Sequence, residues 1–159
     1  MAVKTRGEIR IVVLKSQRKL DIFDGADIVA TYRIALGNTP TGAKAIEGDG
    51  RTPEGEYHIF AKNPESKFHL SIAISYPNLD DALRGLAEGA ITKTEFDVIS
   101  DAVSAGERPP QNTPLGGEIY IHGGGSDGDW TRGCIAVTNE EMDEIFHAIP
   151  IGARVTILP

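Results

Sequence analysis

Apolar residues in this chain come in short β-branched runs, each soon cut by Gly, Pro, Asp or Asn. A chain punctuated in this way has no room for a coiled coil and must build its core from many short elements joined by tight turns. Residues 8–14 read Glu-Ile-Arg-Ile-Val-Val-Leu, and after Lys15-Ser16-Gln17-Arg18 the stretch 19–23 alternates polar and apolar side chains, predicting a β-hairpin. Asp24-Gly25-Ala26-Asp27 turns the chain into 28–36 and completes a three-strand meander. Gly37 opens a long loop of turn residues that runs through Thr52-Pro53-Glu54-Gly55, before strands are expected at 56–61 and 68–75.

Tyr76-Pro77-Asn78 breaks that pattern, and the Ala-rich stretches 79–90 and 93–105 read as helices. Pro109, Pro110 and Pro114 force an extended connection into a short buried strand, 118–122, which ends at His122. A loop over 123–133 leads to the apolar segment 134–137. Thr138 and Glu141 then match a capping box for a helix over 140–147, and 153–158 supplies a last strand. The chain therefore reads as one mainly antiparallel β domain over 1–159 with a helical insertion.

Hydrophobic residues at 40% and charged residues at 25% are enough for a packed core. Lys+Arg 16 against Asp+Glu 23 gives a formal charge of -7 with no basic cluster, which argues against nucleic acid and anionic membranes as partners. No apolar run approaches the ~20 residues of a transmembrane segment. Met1-Ala2-Val3-Lys4-Thr5-Arg6 shows no signal peptide, although a chain whose leader had been removed would begin the same way. Cys134 is the single cysteine, so disulfide frameworks and Cys-rich zinc sites are excluded.

A lone cysteine is most often a packing residue. Cys134, however, lies between a Gly-rich loop and an apolar segment in Trp130-Thr131-Arg132-Gly133-Cys134-Ile135-Ala136, where a thiol can be rigid and still face a cleft. Nucleophilic catalysis needs a thiolate, which a neighbouring histidine or cation promotes; His122 and Arg132 are the candidates. His58, His69 and His147 show that histidine alone means little here, so the signal is the pair His122 and Cys134. Gly123-Gly124-Gly125 lacks the context of a phosphate loop. Ser126-Asp127-Gly128-Asp129 is an incomplete calcium loop and reads as a solvated turn, so no metal and no cofactor are expected. Trp130, the only tryptophan, fits either a cleft-lining residue or a plug holding the loop.

Ile121-His122-Gly123, then Thr131-Arg132-Gly133-Cys134-Ile135-Ala136, then Asn139 and a short helix, resemble the signature of the YkuD-type L,D-transpeptidase catalytic domain. Thr52-Pro53-Glu54-Gly55, Ser75-Tyr76-Pro77-Asn78, Thr113-Pro114 and the closing Gly152-Ala153-Arg154-Val155 are similar to its flanking pattern. The resemblance implies a β-sandwich with a small helical insertion and a short helix after the Cys motif. It also implies cysteine-dependent acyl transfer on peptidoglycan stem peptides, through a thioester that an acceptor amine of a second stem or an envelope protein resolves. Carried over by motif, Cys134 is the nucleophile and His122 its base, with Gly123 offering a backbone carbonyl to the histidine. Backbone N–H groups of Gly133 and Cys134 fit an oxyanion hole. Where the family commonly has histidine before Gly-Cys this chain has Arg132, a fixed cation suited to lowering the thiol pKa or holding a substrate carboxylate. Trp130, and by flanking motif Tyr76 and Arg51, are the remaining candidate substrate contacts. A periplasmic or cell-envelope location, and a carbapenem-reactive cysteine, follow from the same resemblance. Net hydrolysis by a carboxypeptidase or amidase, delivery as a secreted toxin, and an inactive peptidoglycan-binding module are the competing readings.

Overall fold

The computed structural model describes residues 7–159; the reading of the first six residues as free of an export signal lies outside them. Eight strands form one sheet in the order β3-β2-β1-β8-β4-β5-β6-β7. β1 (Ile9–Leu14), β2 (Lys19–Asp24) and β3 (Asp27–Arg33) are the expected antiparallel meander, and β8 (Arg154–Leu158) runs parallel to β1. Alternation sets which face is buried: Ile11 and Val13 of β1, and Val155 and Ile157 of β8, turn inward.

β4 (Gly55–Ser66) is longer than the 56–61 segment expected, because it serves both halves of the sheet. Residues 55–58 pair with β8, whereas Ile59 onward pairs with β5 (His69–Ile74), with a register irregularity between Ile59 and Ala61. A bulge of this kind bends and twists a strand, so one sheet folds over on itself. β6 (Tyr120–His122) and β7 (Ile135–Ala136) continue from β5, and mutual hydrogen bonds between Ala35 and Ala136 at 2.9 and 3.0 Å close the curl. The sandwich is thus a single curled sheet around a core that includes Leu20, Ile59, Ile72, Ile121 and Ile135.

The helical insertion is α1 (Leu79–Ala87) and α2 (Lys93–Ser104), shorter than expected. Gly89 and Gly106 adopt positive φ, and the bonds Ala90 N–H to Gly85 O and Glu107 N–H to Ala102 O end each helix in a Schellman turn. Both helices cover a satellite core of Ala82, Ile91, Ile99 and Leu115. α3 (Asn139–Ala148) starts with the predicted capping box of Thr138 and Glu141. Among the described residues, no helix is long and apolar enough to cross a membrane.

Candidate active site

β6 ends at His122 and β7 begins one residue after Cys134, and the parallel register pairs His122 with Ala136. The two residues of the sequence signal therefore sit at adjoining strand ends. The intervening loop is pinned at several points. Asp129 accepts two N–H bonds from Arg18, at 3.0 and 2.8 Å, and one from the Leu36 N–H at 3.1 Å. Asp129 is thus an internal anchor and not the solvated turn residue expected. Thr131 Oγ1 donates to the Cys134 carbonyl at 2.6 Å and accepts the Gly133 N–H at 3.2 Å. Gly133 has φ +140°, and a Cβ there would stand 2.8 Å from the Arg51 carbonyl oxygen, so only glycine lets this turn lie against the preceding loop. The Gly133 N–H expected to face an oxyanion is occupied by Thr131, whereas the Cys134 N–H carries no hydrogen bond among the described residues.

His122 is buried, and its Nδ1 lies 2.6 Å from the Gly123 carbonyl oxygen. A carbonyl only accepts, so Nδ1 bears the proton and the lone pair of the neutral ring is on Nε2. Phe68 stacks on the ring at 4.7 Å between centroids, and Trp130 approaches it edge-on at 5.6 Å. Burial pulls the His122 pKa below its ordinary value, against the Gly123 bond that raises it. Cys134 Sγ accepts the Tyr120 N–H at 3.4 Å and faces the Glu118 carbonyl at 3.5 Å. Burial pushes the thiol pKa up, the Tyr120 N–H and the Lys44 charge oppose that, and Glu118 adds to it. The resting pair at neutral pH is a thiol and a neutral imidazole, with the sulfur turned to backbone and not to the ring.

Cys134, His122, Trp130 and Arg132 line one cleft of about 890 Å³. Arg132 is exposed and forms no ion pair among the described residues. Tyr76 and Arg51 are not brought to the cleft. Tyr76 is a fully buried core ring whose hydroxyl donates to the Leu115 carbonyl at 2.7 Å, and the Arg51 Nε donates to the Thr41 carbonyl at 3.1 Å. Lys44, Phe68 and Glu118 line the cleft without having been singled out by sequence. Lys44 sits in a turn-rich loop and Phe68 in the tight turn between β4 and β5, where the sequence predicts a strand to begin, and neither position carries a motif. No group of three or more His, Cys, Asp or Glu side chains among the described residues is placed to hold a metal ion.

Residues 8–157 match the family model YkuD, the L,D-transpeptidase catalytic domain. The chain belongs to the YkuD family. It is 24% identical over 147 residues to the Escherichia coli K12 protein named "Putative L,D-transpeptidase YafK", covering 89% of this chain and 47% of that one. Among solved structures, the helical cell shape determining protein Pgp2 of Campylobacter jejuni aligns with a TM-score of 0.63 at 24% identity, over 96% of this chain and 49% of its own. Bd1075 of Bdellovibrio bacteriovorus gives 0.62 at 21% identity, over 98% and 49%. The L,D-transpeptidase of Xylanimonas cellulosilytica gives 0.56 at 15% identity, over 98% and 63%. These likenesses bear out the mainly β YkuD fold. This YkuD chain spans about half the length of YafK, Pgp2 and Bd1075.

Proposed function

We propose that this protein is a cysteine acyltransferase of the L,D-transpeptidase type, acting on peptidoglycan stem peptides in the periplasm or cell envelope as one catalytic domain. The observation that carries this reading is His122. Its Nδ1 proton is committed to Gly123 O, which leaves Nε2 as the base in the cleft that also holds the only cysteine.

A turn of the Cys134 side chain moves Sγ from the Glu118 carbonyl towards Nε2; catalytic hydrogen bonds often tighten only when substrate is bound. Sγ attacks the carbonyl carbon after the diamino-acid residue of the stem, and the thiol proton passes to Nε2. The carbonyl oxygen takes the electron pair, beside the unoccupied Cys134 N–H. Collapse breaks the C–N bond, Nε2 returns the proton to the departing D-alanine amine, and a thioester remains. An acceptor amine or water then attacks the thioester, and its proton travels through Nε2 to the leaving sulfur. Trp130 walls the cleft and Arg132 stands at its rim as a carboxylate-binding cation.

The test is mass spectrometry of the protein with a tetrapeptide stem and, in parallel, a carbapenem. The expected result is D-alanine release and a carbapenem adduct with wild type, and neither with Cys134→Ala. A folded wild type that yields no adduct and leaves the stem intact would falsify the reading in favour of a binding module. Adding an acceptor amine shifts the product ratio if transfer predominates and leaves it unchanged if water resolves the thioester.

A further inference from the structure

We propose that Lys44 reads the terminal carboxylate of the acyl donor, an inference that rests on the peptide-donor reading above. Lys44 is only 3% exposed, yet it lines the cleft of Cys134. Its ammonium donates to Asp49 Oδ1 at 2.9 Å and to the Ile46 carbonyl at 3.0 Å. An ammonium has three donors, and the third has no partner among the described residues. An open donor on a buried cation is costly unless a ligand completes it.

Lys44 and Asp49 form a buried ion pair, so what remains open on the ammonium is a hydrogen-bond donor and not an unbalanced charge. The Asp49 carboxylate also accepts the N–H groups of Ala45, Ile46 and Arg51, so its acceptor sites are filled by four donors and it has none left for the third donor of Lys44. One short segment, Gly116 to Glu118, lies against both Lys44 and the nucleophile. A Cβ on Gly116 would stand 3.2 Å from Lys44 Cε, while the carbonyl of Glu118 lies 3.5 Å from Cys134 Sγ. Gly116 and Glu118 are two residues apart, at most about 7 Å of extended chain. A donor with its scissile carbonyl at Sγ carries the terminal carboxylate one residue beyond, about 3.5 Å further along an extended peptide. The Lys44 charge, after the Tyr120 N–H, opposes the effect of burial on the thiol. Arg132, exposed at the rim, is free for a more distant carboxylate.

Binding to Cys134→Ala tests this without any turnover. The ligands are a tetrapeptide stem with a free C-terminal carboxylate and the same stem as its C-terminal carboxamide, measured by calorimetry. The acid is expected to bind about tenfold tighter, the weight of one charge-assisted hydrogen bond. Adding Lys44→Gln should bring the two ligands within about twofold, whereas Lys44→Arg should keep the preference. Equal binding of acid and amide, no binding of the acid, or an undiminished preference in folded Lys44→Gln each overturns the proposal. A merely structural lysine would weaken both ligands alike and leave their ratio unchanged. Should Lys44→Gln not fold, the ratio in Cys134→Ala and its retention in Lys44→Arg decide. Because this ratio needs no chemistry, a wild type without turnover would count against acyl transfer alone.

Discussion

At the scale of single residues, the working parts of the cleft are set by what surrounds them more than by what they are. His122 is an ordinary imidazole whose tautomer is set by one backbone carbonyl and whose ring is enclosed by two aromatic rings. Phe68 stacks on one face of the ring, so Phe68→Ala should open that face to water. The sign follows from the direction of the shift. Burial lowers the pKa of His122, so the acid limb of kcat/KM in wild type lies below the ordinary histidine range, and rehydration moves it up in pH. The pH–rate profile of Phe68→Ala, together with the titration of His122 by NMR, checks this. An acid limb unmoved in the variant would show that Phe68 does not tune the base.

At the scale of elements, the loop between His122 and Cys134 is held by backbone bonds to distant segments, such as Thr131 N–H to Leu36 O, and by side chains from elsewhere. Arg18, in the turn between β1 and β2, grips Asp129, and Asp129 in turn holds the Leu36 N–H after β3. The bond from Arg18 is the main reason the Asp129 pKa lies below its ordinary value. A carboxylate depressed in the folded state stabilises above its unfolded pKa, about 3.9, and that contribution is lost as pH falls through the folded value. Asp129→Asn should therefore cost about 1–2 kcal/mol at pH 7, given partial exposure of the pair. The difference from wild type should shrink towards zero in acid, read by urea unfolding across pH. A deficit that stays constant into acid would mean that the ion pair is not what holds the loop. α3 is anchored differently, by the reciprocal bonds of Thr138 and Glu141, which are local and were visible in the residue pattern.

At the scale of the whole molecule, two electrostatic ranges compete. The protein carries a formal charge of -7, while the cleft is lined by Lys44, Lys67 and Arg132 against Glu47 and Glu118. A domain of this length has a radius of gyration of about 15 Å. At about 0.01 M salt the Debye length, roughly 30 Å, exceeds that radius, and an anionic donor meets the net negative charge. At about 0.15 M it falls to roughly 8 Å, and the donor meets chiefly the charges of the cleft, where three cationic side chains stand against two anionic ones. Affinity for an anionic stem peptide should therefore pass through a maximum at intermediate salt, and a titration from low to high ionic strength reads it. A monotonic fall from the lowest salt would show that the cleft outweighs the net charge at every range.

Much was legible in the residue order alone. The β-branched runs and their Gly, Pro and Asp breaks located the strands, because alternation and turn chemistry are local properties; the capping box at Thr138 was equally local. The His122 and Cys134 pair stood out because each sits in a short motif, and the carbonyl partner of the histidine could be named because it is the next residue. Other decisions needed the folded chain. The extent of β4 depends on two different partners, and a strand's partners lie far away in sequence. Tyr76 and Arg51 belong to flanking motifs but face core and loop, since motif membership does not specify direction. Asp129 looked like a solvated turn until Arg18 came to meet it across 111 positions of sequence. Lys44 and Phe68 reach the cleft only when the sheet curls, so no spacing along the chain announces them. Local chemistry was written in the order of residues, and the surroundings that turn a thiol and an imidazole into a site were decided by long-range packing.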